Sequence, residues 1–126
     1  MVKLIGILAL QGNFHQHSII LDRLGVKSIY VRNSEDLFQC DALIIPGGES
    51  TAMSFLIDKN NLRDSLIEFS LTRSMLGVCA GMIILSSSPR SKNLKPLNII
   101  DISVNRNAWG RQVHSFRGDV VLNFGS

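Results

Sequence analysis

Leu76-Gly77-Val78-Cys79-Ala80-Gly81-Met82 is the stretch on which the fold of this 126-residue chain turns. An apolar lead-in precedes it, and an apolar run, Met82 to Leu85, follows. The pattern predicts a short strand, a sharp turn with a cysteine at its tip, and a helix. Gly-x-Cys-x-Gly is the thiol counterpart of the nucleophile elbow. A strained turn at Cys79 brings neighbouring backbone so close that only residues without a β-carbon fit at Gly77 and Gly81. The thiol then points out of the sheet, towards the free N–H groups of the following helix. Helix N-termini favour thiolate, the reactive form of cysteine. They also supply donors for an anion forming beside the sulfur. A buried cysteine with two packing glycines fits the same five residues, so the rest of the chain has to decide.

Upstream, residues 3–10 form a continuous β-branched and aliphatic run, suited to a central strand buried on both faces of a parallel sheet. The run ends at Gln11-Gly12. Phe14, His17, Ile20, Leu21 and Leu24 then recur at spacings of three and four, which predicts a helix with one apolar face. Gly25 stops it. A second strand is expected over residues 26–31, a short helical turn over 34–38 with Ser34 as its cap, and a third strand over 42–45. Helices are expected over 51–58 and 62–71, the latter with Leu62, Leu66 and Phe69 on one face. A strand over 75–78 leads into the elbow helix, 80–86. Residues 86–96 are polar and carry two prolines, which marks a surface loop. Residues 97–104 read as a strand, 105–111 as a loop, and 119–124 as a weakly alternating strand. Strands and helices in alternation imply an α/β fold, an open, mostly parallel sheet with helices on both faces.

The third strand ends hard at Pro46-Gly47-Gly48-Glu49-Ser50-Thr51. Two glycines at a strand's carboxyl end, ahead of a Ser/Thr helix start, make an exposed backbone loop of the kind that carries ligand sites in open α/β sheets. Its N–H groups can hold a carboxylate or an oxyanion. A plain tight turn before a capped helix fits equally. No Gly-Lys-Ser/Thr follows, so this is not a P-loop.

The totals bound the function. Apolar residues make up 45% and charged residues 18%, which is globular rather than disordered. The chain is of single-domain length. Net charge is +3 with the basic residues scattered, and no stacking aromatics lie between them, so nucleic-acid binding is not indicated. The apolar runs are too short for a membrane helix. The N-terminus does not read as a signal peptide. Cys40 and Cys79 have no metal-ligand spacing. Free thiols in a cytoplasmic protein are the simplest expectation.

A cysteine nucleophile usually works with a base, most often histidine. His17 lies on the apolar stripe of the first helix and reads as a partly buried histidine. His15 and His17, two apart, do not share a helix face and make a poor metal pair. His114 follows a loop with Asp119 nearby, and nothing in its spacing ties it to Cys79. The residues by themselves therefore show a thiol site without a visible base.

Four motifs occur in order: Leu8-Ala9-Leu10-Gln11-Gly12, Pro46-Gly47-Gly48-Glu49-Ser50-Thr51, Gly77-Val78-Cys79-Ala80-Gly81 and Arg106-Asn107-Ala108-Trp109-Gly110-Arg111-Gln112. Together they resemble the glutaminase subunits of the two-protein pyridoxal 5′-phosphate synthases, a branch of the class I (triad) glutamine amidotransferases. The resemblance runs from Ile5 to about Phe116. It implies that Cys79 attacks the side-chain amide of L-glutamine, giving a γ-glutamyl thioester and ammonia. Gly47, Gly48 and Glu49 match the glutamine-binding loop, with N–H groups of the glycine pair and of Ala80 facing the oxyanion. Arg106 matches a residue that contacts glutamine. Gln11 matches a position that orders the oxyanion region. The implied partner is a (β/α)8-barrel synthase subunit that uses the ammonia in vitamin B6 biosynthesis. No metal and no cofactor are implied in this chain.

Three departures accompany the resemblance. Val78 stands where the family usually has threonine, and His114 where an acid is common. The family's catalytic His-x-Glu pair belongs to a further C-terminal segment, so a single, C-terminally incomplete amidotransferase domain is expected. The alternative is an inactive module that binds glutamine or the synthase without turnover. A different thiol protein on the same elbow, such as a hydrolase or redox sensor, fits the glycine loop and Arg106 poorly.

Overall fold

Four short runs of Leu, Ile, Val and Met build the sheet in the computed structural model, which describes residues 2–87 and 93–102. The strands are β1 (Leu4–Leu8), β2 (Lys27–Val31), β3 (Ala42–Ile45) and β4 (Ser74–Gly77). They pair in the order β2-β1-β3-β4, and every pairing is parallel. Between them run α1 (Phe14–Arg23), α2 (Ser34–Phe38), α3 (Ser50–Lys59) and α4 (Arg63–Ser70), and α5 (Ala80–Leu85) follows β4. The expected α/β architecture is therefore present. β1 lies in the interior of the sheet, as its unbroken apolar run requires, and Ile7 and Leu8 are both fully buried.

Alternation along the strands divides the core into two layers. Leu8, Leu43, Ile45 and Met75 face α2 to α5 and join Leu37, Met53, Ile57, Leu66, Phe69, Ile84 and Leu85 in the larger layer. Ile7 and Ile44 face the other way, towards α1, and pack with Leu21, Phe14, Val26 and Tyr30. Each fully buried large aliphatic side chain contributes about 1.5–3 kcal/mol. Gly6 gives the larger layer its depth. A β-carbon there would lie 2.7 Å from both Cys40 Sγ and a methyl of Val31. Cys40 fills that space, 1% exposed, and burial pushes its thiol up to about 11.

The buried line of α1 is narrower than the sequence pattern suggests. Phe14, His17 and Leu21 follow one ridge. Ile20 and Leu24 fall a helical step away and are 53% and 70% exposed. Burial of His17 lowers its pKa, in keeping with a partly buried neutral imidazole. Among the described residues α1 is the helix on its face, and it packs on β1 and β2. Leu76, beside Ile44 on that face, stays 50% exposed.

Two capping details also differ from expectation. Asn33, not Ser34, caps α2, its Oδ1 accepting the Asp36 N–H at 2.8 Å. Ser34 instead bonds Ser65 on α4 at 2.7 Å. At the other end of the described chain, residues 97–102 do not form the expected strand. The short helix α5 ends with unpaired carbonyls, and this segment supplies their donors. Leu97 N–H reaches Ile84 O at 2.7 Å, and the N–H groups of Ile99 and Ile100 reach Leu85 O at 3.0 and 2.9 Å. Backbone committed to a helix end cannot also join a ladder. The segment is fastened further by Ser54, 2% exposed, whose Oγ accepts the Lys95 N–H at 3.0 Å. Arg63 donates to the Lys95 carbonyl at 2.7 Å while paired with Asp58. The remaining expectations, at residues 88–92 and 103–126, including the loop with Arg106, His114 and the strand over 119–124, lie outside the described residues.

Asp41 ties down the start of β1. Its carboxylate accepts the N–H groups of Lys3 and Leu4, each at 2.9 Å, and these bonds hold its pKa below the usual carboxylate value. A lowered pKa in the folded state gives stability that is complete above the ordinary carboxylate pKa and is lost as pH falls through the lowered one. Melting temperatures taken from neutral down to about pH 2 should therefore fall less steeply in Asp41→Asn than in the parent.

Candidate active site

Strand order creates the site before any side chain does. From β1 the chain crosses through α1 to β2 on one side, and β3 then returns to the other side of β1. The crevice at the carboxyl ends of β1 and β3 is thus a topological switch point, where open α/β sheets bind ligands. Gln11-Gly12-Asn13 follows β1, Pro46-Gly47-Gly48-Glu49 follows β3, and the elbow follows β4 next door.

The elbow has the predicted form. Cys79 sits at φ 52°, ψ −111°, a left-handed conformation that a β-carbon disfavours, and it precedes the first residue of α5. Its thiol is free and exposed. The two glycines hold the turn closed. A β-carbon on Gly77 would lie 2.7 Å from the Gly81 carbonyl, and one on Gly81 would collide with the Ile45 carbonyl at the end of β3. Val78 N–H also donates to Ile45 O at 3.0 Å, so the elbow is pinned to the neighbouring strand. A buried cysteine with two packing glycines is not what the chain adopts. The buried thiol belongs to Cys40.

The glycine loop lies directly against this turn. The position of a β-carbon on Gly47 is 3.4 Å from Cys79 Cβ and 3.7 Å from the Val78 carbonyl. Gly12, at φ 93°, passes so near that a β-carbon would strike the Gly47 carbonyl, and Asn13 N–H donates to that same oxygen at 3.1 Å. Gln11 fastens the other half. Its Oε1 accepts the Glu49 N–H at 3.0 Å and occupies space that a side chain at Gly48 would need. Among the described residues the N–H groups of Gly47, Gly48 and Ala80 have no hydrogen-bond acceptor.

Glu49 is engaged locally. As N-cap of α3 its carboxylate accepts the N–H groups of Thr51 at 3.2 Å and Ala52 at 2.7 Å, and it also bonds the Thr51 hydroxyl. Six of the seven sequence-selected positions, Gln11, Gly47, Gly48, Glu49, Cys79 and Ala80, thus belong to one crevice. Arg106 falls outside the described residues. The structure adds Asn13, whose Oδ1 also lies 3.4 Å from the Gly47 β-position. Its place directly after Gln11-Gly12 was the available signal. Among the described residues no group of His, Cys, Asp or Glu could hold a metal ion, and no helix is long and apolar enough to cross a membrane.

An open parallel α/β sheet with an exposed cysteine on a strand–turn–helix elbow, facing a glycine loop at the switch point, is the arrangement expected of a glutamine amidotransferase-like thiol domain. Comparison with known proteins agrees. The chain belongs to the SNO glutamine amidotransferase family, whose pattern matches residues 7–124. It is 48% identical over 119 residues to pyridoxal 5′-phosphate synthase subunit PdxT of Tropheryma whipplei (strain Twist), covering 92% of this chain and 63% of that protein. It is 41% identical over 123 residues to the PdxT of Francisella tularensis subsp. tularensis (strain WY96-3418), covering 98% of this chain and 66% of that one. A crystal structure of a glutamine amidotransferase superposes with a TM-score of 0.78 at 39% identity, over 89% of this chain and 61% of the other. The fold alone is shared with a peptidase E protein from Listeria monocytogenes EGD-e, at TM-score 0.69 and 15% identity. The chain spans 61–66% of the length of its amidotransferase relatives named here, less than two thirds.

Gly81 provides a test in which two effects have opposite signs. In a helix, Gly→Ala is ordinarily stabilising by about 0.5–1 kcal/mol. At Gly81 the collision with the Ile45 carbonyl should reverse this and destabilise by about 1–3 kcal/mol, read as a lower urea midpoint at unchanged slope.

Proposed function

We propose that this chain is the glutaminase component of a pyridoxal 5′-phosphate synthase, with Cys79 as the nucleophile. What carries the proposal is the contact between the glycine loop and the elbow, which brings loop N–H groups without acceptors next to the Cys79 turn. Cys79 Sγ attacks the carboxamide carbon of L-glutamine. The C–S bond forms as the carbonyl oxygen takes on negative charge, and N–H groups of Gly47, Gly48 and Ala80 receive that charge. A donor aimed at such an oxyanion is worth about 3 kcal/mol in the transition state. The C–N bond then breaks and ammonia leaves with a proton, giving a γ-glutamyl thioester. Water attacks the thioester, releases glutamate and restores the thiol. A histidine base moves these protons in chemistry of this type.

Gln11 acts here by holding the loop, through the Glu49 N–H, rather than by reaching the reacting atoms. Glu49 contributes by capping α3 and fixing the loop's exit. Arg106 would serve as the guanidinium for the substrate carboxylate, a pairing suited to two parallel hydrogen bonds. Ammonia set free in bulk water would protonate and lose its nucleophilicity. Transfer within a complex avoids that, and the partner proposed is the (β/α)8-barrel synthase subunit, in the cytoplasm, that the family resemblance implies.

The test is ammonia release from glutamine by the natural full-length gene product, assayed with its synthase. Cys79→Ser should lower turnover by at least about a thousandfold while glutamine still binds. Undiminished turnover in Cys79→Ser would reject the nucleophile. Glutamine binding without ammonia release by the parent would leave a binding module in place of an enzyme.

A further inference from the structure

Asn13 stands at the N-cap of α1, where asparagine ordinarily accepts an N–H from the first helical turn. Here it does not. Its backbone is at φ −91°, ψ 44°, and its side chain makes no capping bond. The residue is exposed, and its amide has no hydrogen-bond partner among the described residues. What fixes its position is the backbone, because Asn13 N–H donates to the Gly47 carbonyl at 3.1 Å. That bond draws the side chain over the glycine loop. Asn13 Oδ1 and Cys79 Cβ each lie 3.4 Å from the same point, the β-position that Gly47 leaves empty. An unpaired amide oxygen and the β-carbon that carries the thiol thus lie at the same distance from one vacant position. A cap residue that forgoes its usual bond and turns to the crevice is placed for a ligand rather than for the helix.

We propose that Asn13 is a specificity-determining residue, its side-chain oxygen accepting an N–H of the substrate carboxamide held beside Cys79. The proposal rests on glutamine being the substrate. An acceptor at this point suits a carboxamide, which brings N–H donors. It disfavours a carboxylate, which brings a second oxygen of like charge. Asn13 would thus separate glutamine from its product glutamate, and a site built to pair a donor discriminates well against an analogue lacking one.

The experiment measures binding of L-glutamine and of L-glutamate by calorimetry, on the natural full-length protein carrying Cys79→Ser to prevent turnover. Asn13→Ala should weaken glutamine about fivefold and leave glutamate unchanged or tighter, so that the preference falls. Asn13→Asp keeps an acceptor oxygen and should keep the preference. Melting temperature should not move in Asn13→Ala, because no cap bond is lost. Equal loss for both ligands, no loss for either, or an Asn13→Asp variant that behaves like Asn13→Ala would overturn the assignment. A Cys79→Ser parent that binds no glutamine would instead reject the glutaminase reading itself, and this assignment with it.

Discussion

The structure depends on backbone meeting backbone at the carboxyl ends of β1, β3 and β4. Gly81 rests on the Ile45 carbonyl, Gly12 on the Gly47 carbonyl, and Gly48 against the Gly12 α-carbon. Side chains are excluded at these contacts, so the loops approach more closely than ordinary packing permits. Closeness is what makes the site. It puts the Gly47 loop in contact with the Cys79 turn, and it turns the polar ends of three strands into one surface. Two hydrogen bonds, Val78 N–H to Ile45 O and Asn13 N–H to Gly47 O, keep the neighbouring loops in register.

Such a turn has to be held against its own strain. A non-glycine residue at positive φ costs on the order of 1–3 kcal/mol. The elbow helix offsets this through Ile84 and Leu85, both fully buried in the larger layer. It is too short to do so alone, since six residues satisfy few of their own carbonyls. Residues 97–102 complete it by donating to Ile84 and Leu85, and Leu94 and Leu97 add to the same core. Ser54 and Arg63 hold that segment from α3 and α4. Support for the cysteine thus runs through a segment that belongs to none of the four motifs.

Much of this was legible because the decisive signals are local. Continuous aliphatic runs gave β1 and β3, and glycine spacing gave the elbow and the loop. Other features depend on tertiary context. Ile20 and Leu24 obey helical spacing, yet α1 meets the sheet along a narrow ridge, and spacing does not say which flank of a stripe is buried. Residues 97–102 are as β-branched as a strand, but open carbonyls on α5 claimed their N–H groups. Glu49 matched a ligand loop by sequence, while its carboxylate also fits the first turn of α3 and bonds there. Asn13 carried no signal beyond its place after Gln11-Gly12, because its N–H bonds the Gly47 carbonyl across a gap in sequence that no periodicity spans.

The two cysteines lead to one more consequence. Cys40 is sealed behind Gly6 and Val31 with its thiol pushed up to about 11, whereas Cys79 is open to solvent. Thiol-directed electrophiles meet one exposed thiol among the described residues. A fluorophore or affinity handle can therefore be attached at the crevice without first removing the other cysteine. A second equivalent of label taken up during heating or in denaturant would report the core coming apart.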